Sequence, residues 1–372
     1  MLSNKKIFKN ITKPCWLIDD PTNIKYKFLK KITEICCILP KPIRKIVLSL
    51  IDKTGIYSNR LFSLINQFFL TVYIVEGEEK HTHKKMNILL INSEKPENYL
   101  SKILFDKKPA CKRIGKINIF NIKRKINKIS SDFDAVIVKC DRFYSGFFEK
   151  KGFTIIPEWV TMKLDTSDSL KNIYKKFNKS GKEDTRKVRK YGYTYELTED
   201  IDELKMFYYK MYLPYAKLRY KDSAICANFN TIKHLFKRDN KLMLIKLEDE
   251  IVYGTLFSVN NSHITATYAG LNKEKLFLLK KGVSAAAYYF LIKWAKENKI
   301  KQINFGLCRS FLNDGGYCYK KKWGTKIDKT EGNCPGVFAF KACNNSKGIA
   351  NFIDKNPFVY LEKNEIKTKG YT

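Results

Sequence analysis

The stretch KLMLIKLEDEIVYGTLFSVNNSHITATYAGL, residues 241–271, decides the fold. It contains three apolar runs, 241–247, 251–260 and 263–271, which are rich in β-branched and aromatic residues and are typical of strands. Short polar turns at residues 248–250 and 261–262 separate the runs. The stretch therefore predicts an antiparallel meander of three strands.

The residues after the meander predict a helix and two more strands. In VSAAAYYFLIKWAKENK, residues 283–299, apolar side chains recur every three or four positions, as on the buried face of a helix. KQINFG (301–306) and GVFAFKAC (336–343) are predicted as strands. A meander that leads through a helix into further strands indicates an α/β (α+β) fold.

The residues before the meander fall into three parts. Residues 1–57 are basic, with a helical spacing that Pro40 and Pro42 break, and two interpretations stay open: a pair of helices packed on the body, or an amphipathic surface resting on an anionic membrane. Residues 60–165 alternate strand-like and polar runs, with Pro157 predicting an edge strand or a bend in the run 153–164. Residues 169–192 predict a basic helical segment, and residues 199–220 predict a packed helix.

The net charge of +34 has two explanations that the sequence leaves open. Ten arginines leave 61 lysines, and abundant Lys, Ile and Asn together are typical of a genome rich in A and T. The alternative is an anionic partner such as RNA or a membrane surface.

Ten cysteines contain no CxxC pair and only four histidines accompany them, so we expect reduced thiols and no metal site. The N-terminus lacks the apolar core of a signal peptide, which predicts a cytoplasmic protein. The longest apolar run, residues 61–75, is too short and too polar to span a bilayer, so no transmembrane segment is predicted.

Several stretches, taken in order, resemble a known group of enzymes. TRKVRKYG precedes a Phe/Tyr-rich helix that ends at Arg219; the meander leads to KKGVSAAAYYFLIKWAKENKIKQINFG; and DGGYCYKKKWGT follows. This order resembles the GNAT acyltransferase superfamily, and more narrowly its Fem-type peptidyltransferase branch.

The resemblance implies tandem GNAT-like mixed sheets flanked by helices, in which the first copy is degenerate. The implied division is a basic N-terminal segment (1–59), a degenerate GNAT-like domain (60–165), a GNAT-like acyltransferase domain (166–345) and a C-terminal tail (346–372).

The turn KKGVSAAA is the candidate donor site. The first amides of a helix have no partners inside it and favour anions, so we expect unpaired amides at Ser284 to Ala286. Around these amides, the residues expected to hold the donor phosphate are Lys280, Lys281, Gly282, Ser284 and Ala285. The superfamily pattern here is Gln/Arg-x-x-Gly-x-Gly/Ala, from which Leu279 and Ser284 depart. Acyl-CoA and aminoacyl-tRNA therefore both stay open as donors, as does an ordinary helix start.

In such folds the reacting carbonyl meets backbone amides where a central strand separates from its neighbour. The resemblance places this point at Tyr268 to Gly270, with Tyr268 as an acid toward the leaving group. The alternative is a strand tyrosine half-buried in the sheet. No residue stands out as a catalytic base.

Three basic residues are candidate ligands of an anionic substrate: Arg219, Arg309 and Lys320. Gly315 and Gly316 are expected to let a loop close over that substrate. The alternatives are a surface ion pair for the arginine and a solvated face for the lysine run. Arg186 and Arg189 are expected on the surface, facing solvent or the phosphates of RNA or lipid.

We therefore predict an N-acyltransferase that forms an amide on an amine, on an amino-sugar or cell-envelope precursor. The expected partners are an anionic small-molecule or lipid-linked substrate, with tRNA and peripheral membrane contact as further possibilities, and the inner face of the membrane as a second location. The alternative is a non-catalytic basic protein that binds an anionic membrane or RNA on a GNAT-like scaffold.

Overall fold

The computed structural model describes residues 69–92, 99–122, 132–220, 226–260, 262–328, 336–344, 346–363 and 365–369, without the side chains of Phe120, Tyr220, Arg238 and Asp239. The helices and the membrane-facing surface predicted within residues 1–57 lie outside the described residues.

The strands, numbered along the chain, are β1 (Phe69–Glu78), β2 (Lys85–Asn92), β3 (Ala110–Asn118), β4 (Ala135–Asp141), β5 (Thr154–Pro157), β6 (Trp159–Asp165), β7 (Thr194–Thr198), β8 (Asn240–Leu247), β9 (Glu250–Asn260), β10 (His263–Leu271), β11 (Gln302–Arg309), β12 (Lys326–Ile327), β13 (Gly336–Ala342), β14 (Phe358–Glu362) and β15 (Glu365–Lys369).

The α-helices are α1 (Tyr99–Leu104), α2 (Ser145–Glu149), α3 (Leu170–Lys175), α4 (Lys179–Lys190), α5 (Ile201–Met206), α6 (Leu213–Tyr220), α7 (Phe229–Asp239), α8 (Val283–Glu297), α9 (Gly315–Lys321) and α10 (Lys347–Lys355). A π-helix, Phe207–Tyr212, joins α5 to α6.

The chain divides into two compact units that are interleaved in sequence. The described part of the first unit lies within Gly192–Asn260 and Tyr268–Ala287. The second unit takes Leu64–Tyr191, Asn261–Thr267 and Tyr288–Thr372. The division into successive domains at residues 59, 165 and 345 stays a prediction.

In the first unit, β7, β8 and β9 pair antiparallel in that order. The β8–β9 hairpin turns at Glu248 and Asp249, whose φ angles of 51° and 63° match the left-handed turn that tight hairpins need. This confirms the predicted hairpin.

The π-helix of the first unit packs against two glycines that leave no room for a side chain. A Cβ atom at Gly254 would lie 2.5 Å from the ring of Phe207, and one at Gly270 would lie 2.4 Å from the backbone nitrogen of Tyr212. The sequence predicted one regular helix over residues 199–220. The wider turn at Phe207–Tyr212 corrects that prediction and places four of its six side chains in the core.

The second unit contains an eight-stranded sheet in the order β15-β14-β5-β13-β4-β2-β1-β3, in which only the pair β2–β4 is parallel among the pairings described. Alternate residues of β4 enter the two apolar clusters on its faces: Val136 and Val138 in one, Ala135 and Ile137 in the other. Helix α10 contributes Ile349 and Phe352 to the second cluster.

The same unit contains β12, β6, β11 and β10, in that order, in a second sheet. β6 pairs antiparallel with β11, whereas β10 pairs parallel with β11. Both sheets of this unit are therefore mixed and flanked by helices, which confirms the predicted α/β class.

Two further sequence predictions bear on this unit. Pro157 ends β5 and one residue, Glu158, leads into β6, so the predicted bend is confirmed. The segment 346–372, predicted as a C-terminal tail, contains α10, β14 and β15, and β14 pairs with β5 in the eight-stranded sheet.

Candidate active site

The start of α8, in the first unit, carries free backbone amides. Gly282 has a φ of 86°, and its amide donates to the carbonyl of Leu279 at 3.2 Å. The amide of Ala286 makes the first helical bond, to the carbonyl of Gly282 at 3.0 Å. Among the described residues, the amides of Val283, Ser284 and Ala285 have no acceptor. Ala286, which we expected to be unpaired, is therefore corrected to a bonded position.

The side chains around these amides are small or basic. Ala285 is fully buried, Ser284 is half-buried, and Lys280 is exposed. The ammonium of Lys281 lies 5.6 Å from the ring centroid of Phe277. These predicted donor-site residues are contiguous along the turn, so the first unit brings them together by itself.

Tyr268 is half-buried on β10 of the first unit. Its ring meets that of Tyr212 edge-on at 5.2 Å, and its carbonyl accepts from the Thr255 hydroxyl at 3.3 Å. The hydroxyl of Tyr212 accepts from the amide of Ala227 at 3.1 Å, and burial raises the pKa of Tyr212 to about 12. Tyr268 therefore packs against the buried ring of Tyr212.

Arg219 lies in the last turn of α6 and is exposed. Its Nη1 donates to the hydroxyl of Tyr215 at 3.3 Å. The role of Arg219 in substrate binding stays a prediction.

In the second unit, β10 and β11 lie side by side as parallel strands. Their parallel pairing covers His263 to Thr265 and ends at the pair Thr265–Asn304. Gly306, with φ of 79°, turns β11 there, and the side-chain oxygen of Asn304 accepts from its amide at 2.7 Å. The separation point expected from the resemblance, Tyr268 to Gly270, stays a prediction; the described pairing of the two strands ends before it, at Thr265.

Lys320 lies beside this turn of β11. Its ammonium donates to the carbonyl of Leu307 at 2.7 Å, and the nitrogen would lie 3.8 Å from a Cβ placed at Gly306. The chain after β11 is not the closing loop that the two glycines predicted. Gly315 and Gly316 form the first turn of α9, which the carboxylate of Asp314 caps by accepting from the amide of Gly316 at 2.9 Å.

Arg309 lies between two aromatic rings in the second unit. Its guanidinium carbon is 3.7 Å from the ring centroid of Trp159 and 4.5 Å from that of Tyr99. Its Nη1 donates to Oε1 of Glu158 at 2.9 Å, and Lys139 approaches the same oxygen at 3.3 Å. Arg309 and Lys320 thus have different partners. Sequence reasoning missed Glu158, Trp159 and Tyr99, since no local signal links residues so far apart in the chain.

The other predicted surface residues have identified partners. Arg186 pairs with Glu183 through two hydrogen bonds of 2.8 and 2.9 Å. Arg189 lies over the rings of Tyr174 and Tyr289, at 5.9 and 5.7 Å.

Lys322, from the lysine run, is buried. It pairs with Asp184 and lies 3.6 Å from the ring centroid of Tyr319. Burial lowers its pKa, and the pair with Asp184 opposes that shift. The solvated face expected for the whole run therefore applies to Lys321 and not to Lys322.

Within the described ranges, no group of three or more His, Cys, Asp or Glu side chains is placed to hold a metal ion. No helix of the described chain is both long enough and apolar enough to cross a bilayer.

The observed architecture is of the mixed α/β class predicted from the sequence. Comparison with solved structures finds similar folds. FemX is similar at a TM-score of 0.40 and 14% identity, over 74% of this chain and 90% of that one. The structure of L-PGS from Bacillus licheniformis is similar at 0.35 and 12% identity, over 74% and 86%. A tandem GNAT protein from the clavulanic acid biosynthesis pathway is similar at 0.29 and 11% identity, over 71% and 80%.

No protein-family profile matches the sequence. No curated protein matches it either.

Proposed function

We propose that this protein is an N-acyltransferase that moves an acyl or aminoacyl group from a phosphate-bearing donor to an amine. The observation that carries the proposal is the start of α8, where three successive amides lack acceptors among the described residues, directly after Gly282 at φ 86°. Free amides and the positive end of a fifteen-residue helix favour a phosphate. Lys280 and Lys281 add two positive charges beside them.

In the proposed reaction, the amine nitrogen forms a bond to the donor carbonyl carbon, and the carbonyl electrons move to oxygen. When the tetrahedral intermediate collapses, the bond to the leaving sulfur or oxygen breaks, and the amine loses a proton to solvent. Tyr268 is proposed to donate a proton to the leaving atom. Its aromatic contact with Tyr212 limits the positions that the phenol can take.

The finer assignments belong to this proposal. The donor is acyl-CoA or aminoacyl-tRNA, and no metal takes part. The acceptor is an anionic or lipid-linked amine, on an amino-sugar or cell-envelope precursor, with Arg219, Arg309 and Lys320 as its ligands. The transferase activity is assigned to residues 166–345, the location to the cytoplasm, and residues 60–165 to a degenerate copy.

Titration calorimetry with acetyl-CoA tests the donor site. We compare Ser284→Asp with Ser346→Asp, a matched substitution that puts the same carboxylate at the start of α10. An acid in a first helical turn stabilises the helix, so neither variant should unfold. We expect binding to fall at least about tenfold in Ser284→Asp only, because its carboxylate repels the phosphate. Equal affinity in the two variants contradicts the site.

If coenzyme A does not bind the wild-type protein, the binding of aminoacyl-tRNA tests the donor site instead. Binding of labelled aminoacyl-tRNA should weaken steeply with salt, because bound counterions are released. It should also weaken in Ser284→Asp relative to Ser346→Asp. Absence of both donors would refute the transferase proposal.

The acceptor ligands are tested by the Michaelis constant of the anionic substrate once a donor is known. Arg219→Ala and Lys320→Ala should each raise it about tenfold, the loss expected for one charge-assisted hydrogen bond. Wild-type constants in both variants would remove these residues from the site.

A further inference from the structure

The short segment before α8 exposes large apolar side chains. Phe277 is 57% exposed and Leu279 is 42% exposed, whereas Leu278 between them is 1% exposed. In the run of four apolar residues 276–279, Leu278 is buried while its neighbours Phe277 and Leu279 are exposed, which leaves an apolar patch on the surface of the first unit. Exposed patches of this kind mark interaction surfaces.

The segment is held in a fixed conformation, so the exposure is not that of a loose loop. The side-chain oxygen of Asn272 accepts from the amide of Glu274 at 3.1 Å, and the amide of Asn272 donates to the carbonyl of Val252 at 3.1 Å. Lys275 pairs with Glu250 at 2.6 Å. Leu278 packs into the core of the first unit, and the side chains of Phe277 and Leu279 on either side of it face solvent.

Lysines surround the patch. Lys273 and Lys280 are exposed, and the ammonium of Lys281 lies 5.6 Å from the Phe277 ring centroid. Glu274 is the one acidic residue between Lys273 and Lys281. A partner that matches this patch therefore has a negatively charged surface with apolar material below it.

Two candidate partners, a second copy of the chain and the chain's own residues 1–57, do not match the positive charge of the patch. A second copy of the chain has a net charge of +34. Residues 1–57 contain twelve Lys and Arg against four Asp and Glu. Both would bring positive charge to an already positive patch.

We infer that residues 273–281 dock the protein on an anionic phospholipid bilayer. Phe277 and Leu279 enter the boundary between headgroups and acyl chains, while Lys273, Lys280 and Lys281 lie at the level of the lipid phosphates. Coulombic attraction brings the protein to the surface and the apolar side chains retain it. Lys280 and Lys281 are also the lysines proposed to lie beside the donor phosphate, so the docking is tested below through Phe277, Leu279 and Lys273, none of which the transferase proposal uses.

Flotation of the full-length protein with lipid vesicles tests the inference. Vesicles of phosphatidylglycerol mixed with phosphatidylcholine are compared with phosphatidylcholine alone, and binding to the anionic vesicles should be stronger. The double variant Phe277→Ser/Leu279→Ser should bind the anionic vesicles about tenfold more weakly, because it removes the inserted apolar area. Phe143→Ser is the matched control, since Phe143 is 71% exposed in the second unit, and should bind as the wild type does.

A second measurement covers the case in which the double variant folds poorly. Phe277→Trp places an indole at the proposed depth, and lipids with brominated acyl chains should quench the added fluorescence. The same indole in Phe143→Trp should not be quenched by these lipids. No quenching of the Phe277→Trp signal contradicts the insertion.

A charge variant distinguishes a surface that binds membranes from one that binds polyanions such as RNA. Lys273→Glu should weaken vesicle binding by more than about fivefold, because the loss of one lysine near an anionic surface costs about that factor and the new carboxylate is repelled as well. If Lys273→Glu weakens binding while Phe277→Ser/Leu279→Ser does not, the surface recognises polyanions such as RNA and the inference is wrong. The inference is also wrong if the wild-type protein does not bind anionic vesicles.

Discussion

The guanidinium of Arg309 lies over the indole of Trp159, with its central carbon 3.7 Å from the ring centroid. The two residues face each other in the antiparallel register of β6 and β11. Glu158, the single residue between β5 and β6, accepts a hydrogen bond from the same guanidinium. Arg309 therefore holds the connection between β5 and β6, which belong to different sheets of the second unit. This structural role does not depend on whether Arg309 also binds a substrate.

The Arg309 contact predicts a loss of stability on substitution. Arg309→Ala should lower the free energy of unfolding by about 1–3 kcal/mol, because it removes a stacked cation and a hydrogen bond from a carboxylate that is 15% exposed. Arg309→Lys should lose less, since it keeps the charge and gives up the planar stacking. Urea denaturation measures both. Unchanged unfolding with a raised Michaelis constant would instead assign Arg309 to substrate binding alone.

The π-helix predicts that Gly270 cannot accept a methyl group. In Gly270→Ala the new Cβ would lie 2.4 Å from the backbone nitrogen of Tyr212, so the strand or the π-helix must move. We expect a destabilisation of about 2–4 kcal/mol, measured by thermal unfolding. Gly146→Ala is the control, because no atom lies within 4 Å of its Cβ position in α2. Its stability should stay the same or rise by up to about 1 kcal/mol. Equal melting temperatures of the two variants would contradict the close packing.

The buried lysine predicts a pH dependence. Burial lowers the pKa of Lys322 below 10.5, its value in the unfolded chain, so between those two values the unfolded state binds more protons. The penalty for burying the charge is fully present below the folded pKa, and Lys322 therefore adds stability as the pH rises toward 10.5.

Lys322→Met removes this titration while keeping similar volume. The unfolding free energy of the wild type minus that of the variant should increase with pH over this window. A difference that is flat or falls with pH would show that the pair with Asp184 outweighs burial.

The thiols should differ sharply in reactivity. Cys140 and Cys308 are buried; burial raises the pKa of both, that of Cys308 to about 12. Cys111 and Cys318 are exposed. Alkylation followed by peptide mass spectrometry should therefore label the exposed pair in the native protein and the buried pair only in denaturant. Native labelling of Cys308 at a rate like that of Cys318 would refute the packing of β11 on β6.

The local pattern of apolar residues in the sequence determined most of the strands and helices around the candidate site. The alternation in residues 241–271 set β8, β9 and β10 within one residue at each end, and the apolar spacing after Gly282 set the start of α8. Strand and helix periods are properties of neighbouring residues, so they can be predicted without knowing the fold. The free amides of Ser284 and Ala285 follow from the same local rule, because every helix start leaves amides without acceptors.

Tertiary structure alone decided what the charged and aromatic side chains do. Arg309, expected to bind an anion, stacks on Trp159, about 150 residues earlier in the chain. Lys320, Lys321 and Lys322 look alike in sequence, yet one donates to a strand carbonyl, one faces solvent and one is buried against Asp184. The π-helix depends on two glycines in strands that follow it, and β14 joins β5 from far along the chain. Such outcomes depend on which distant residues share a neighbourhood, and the local periodicity of a sequence does not contain that information.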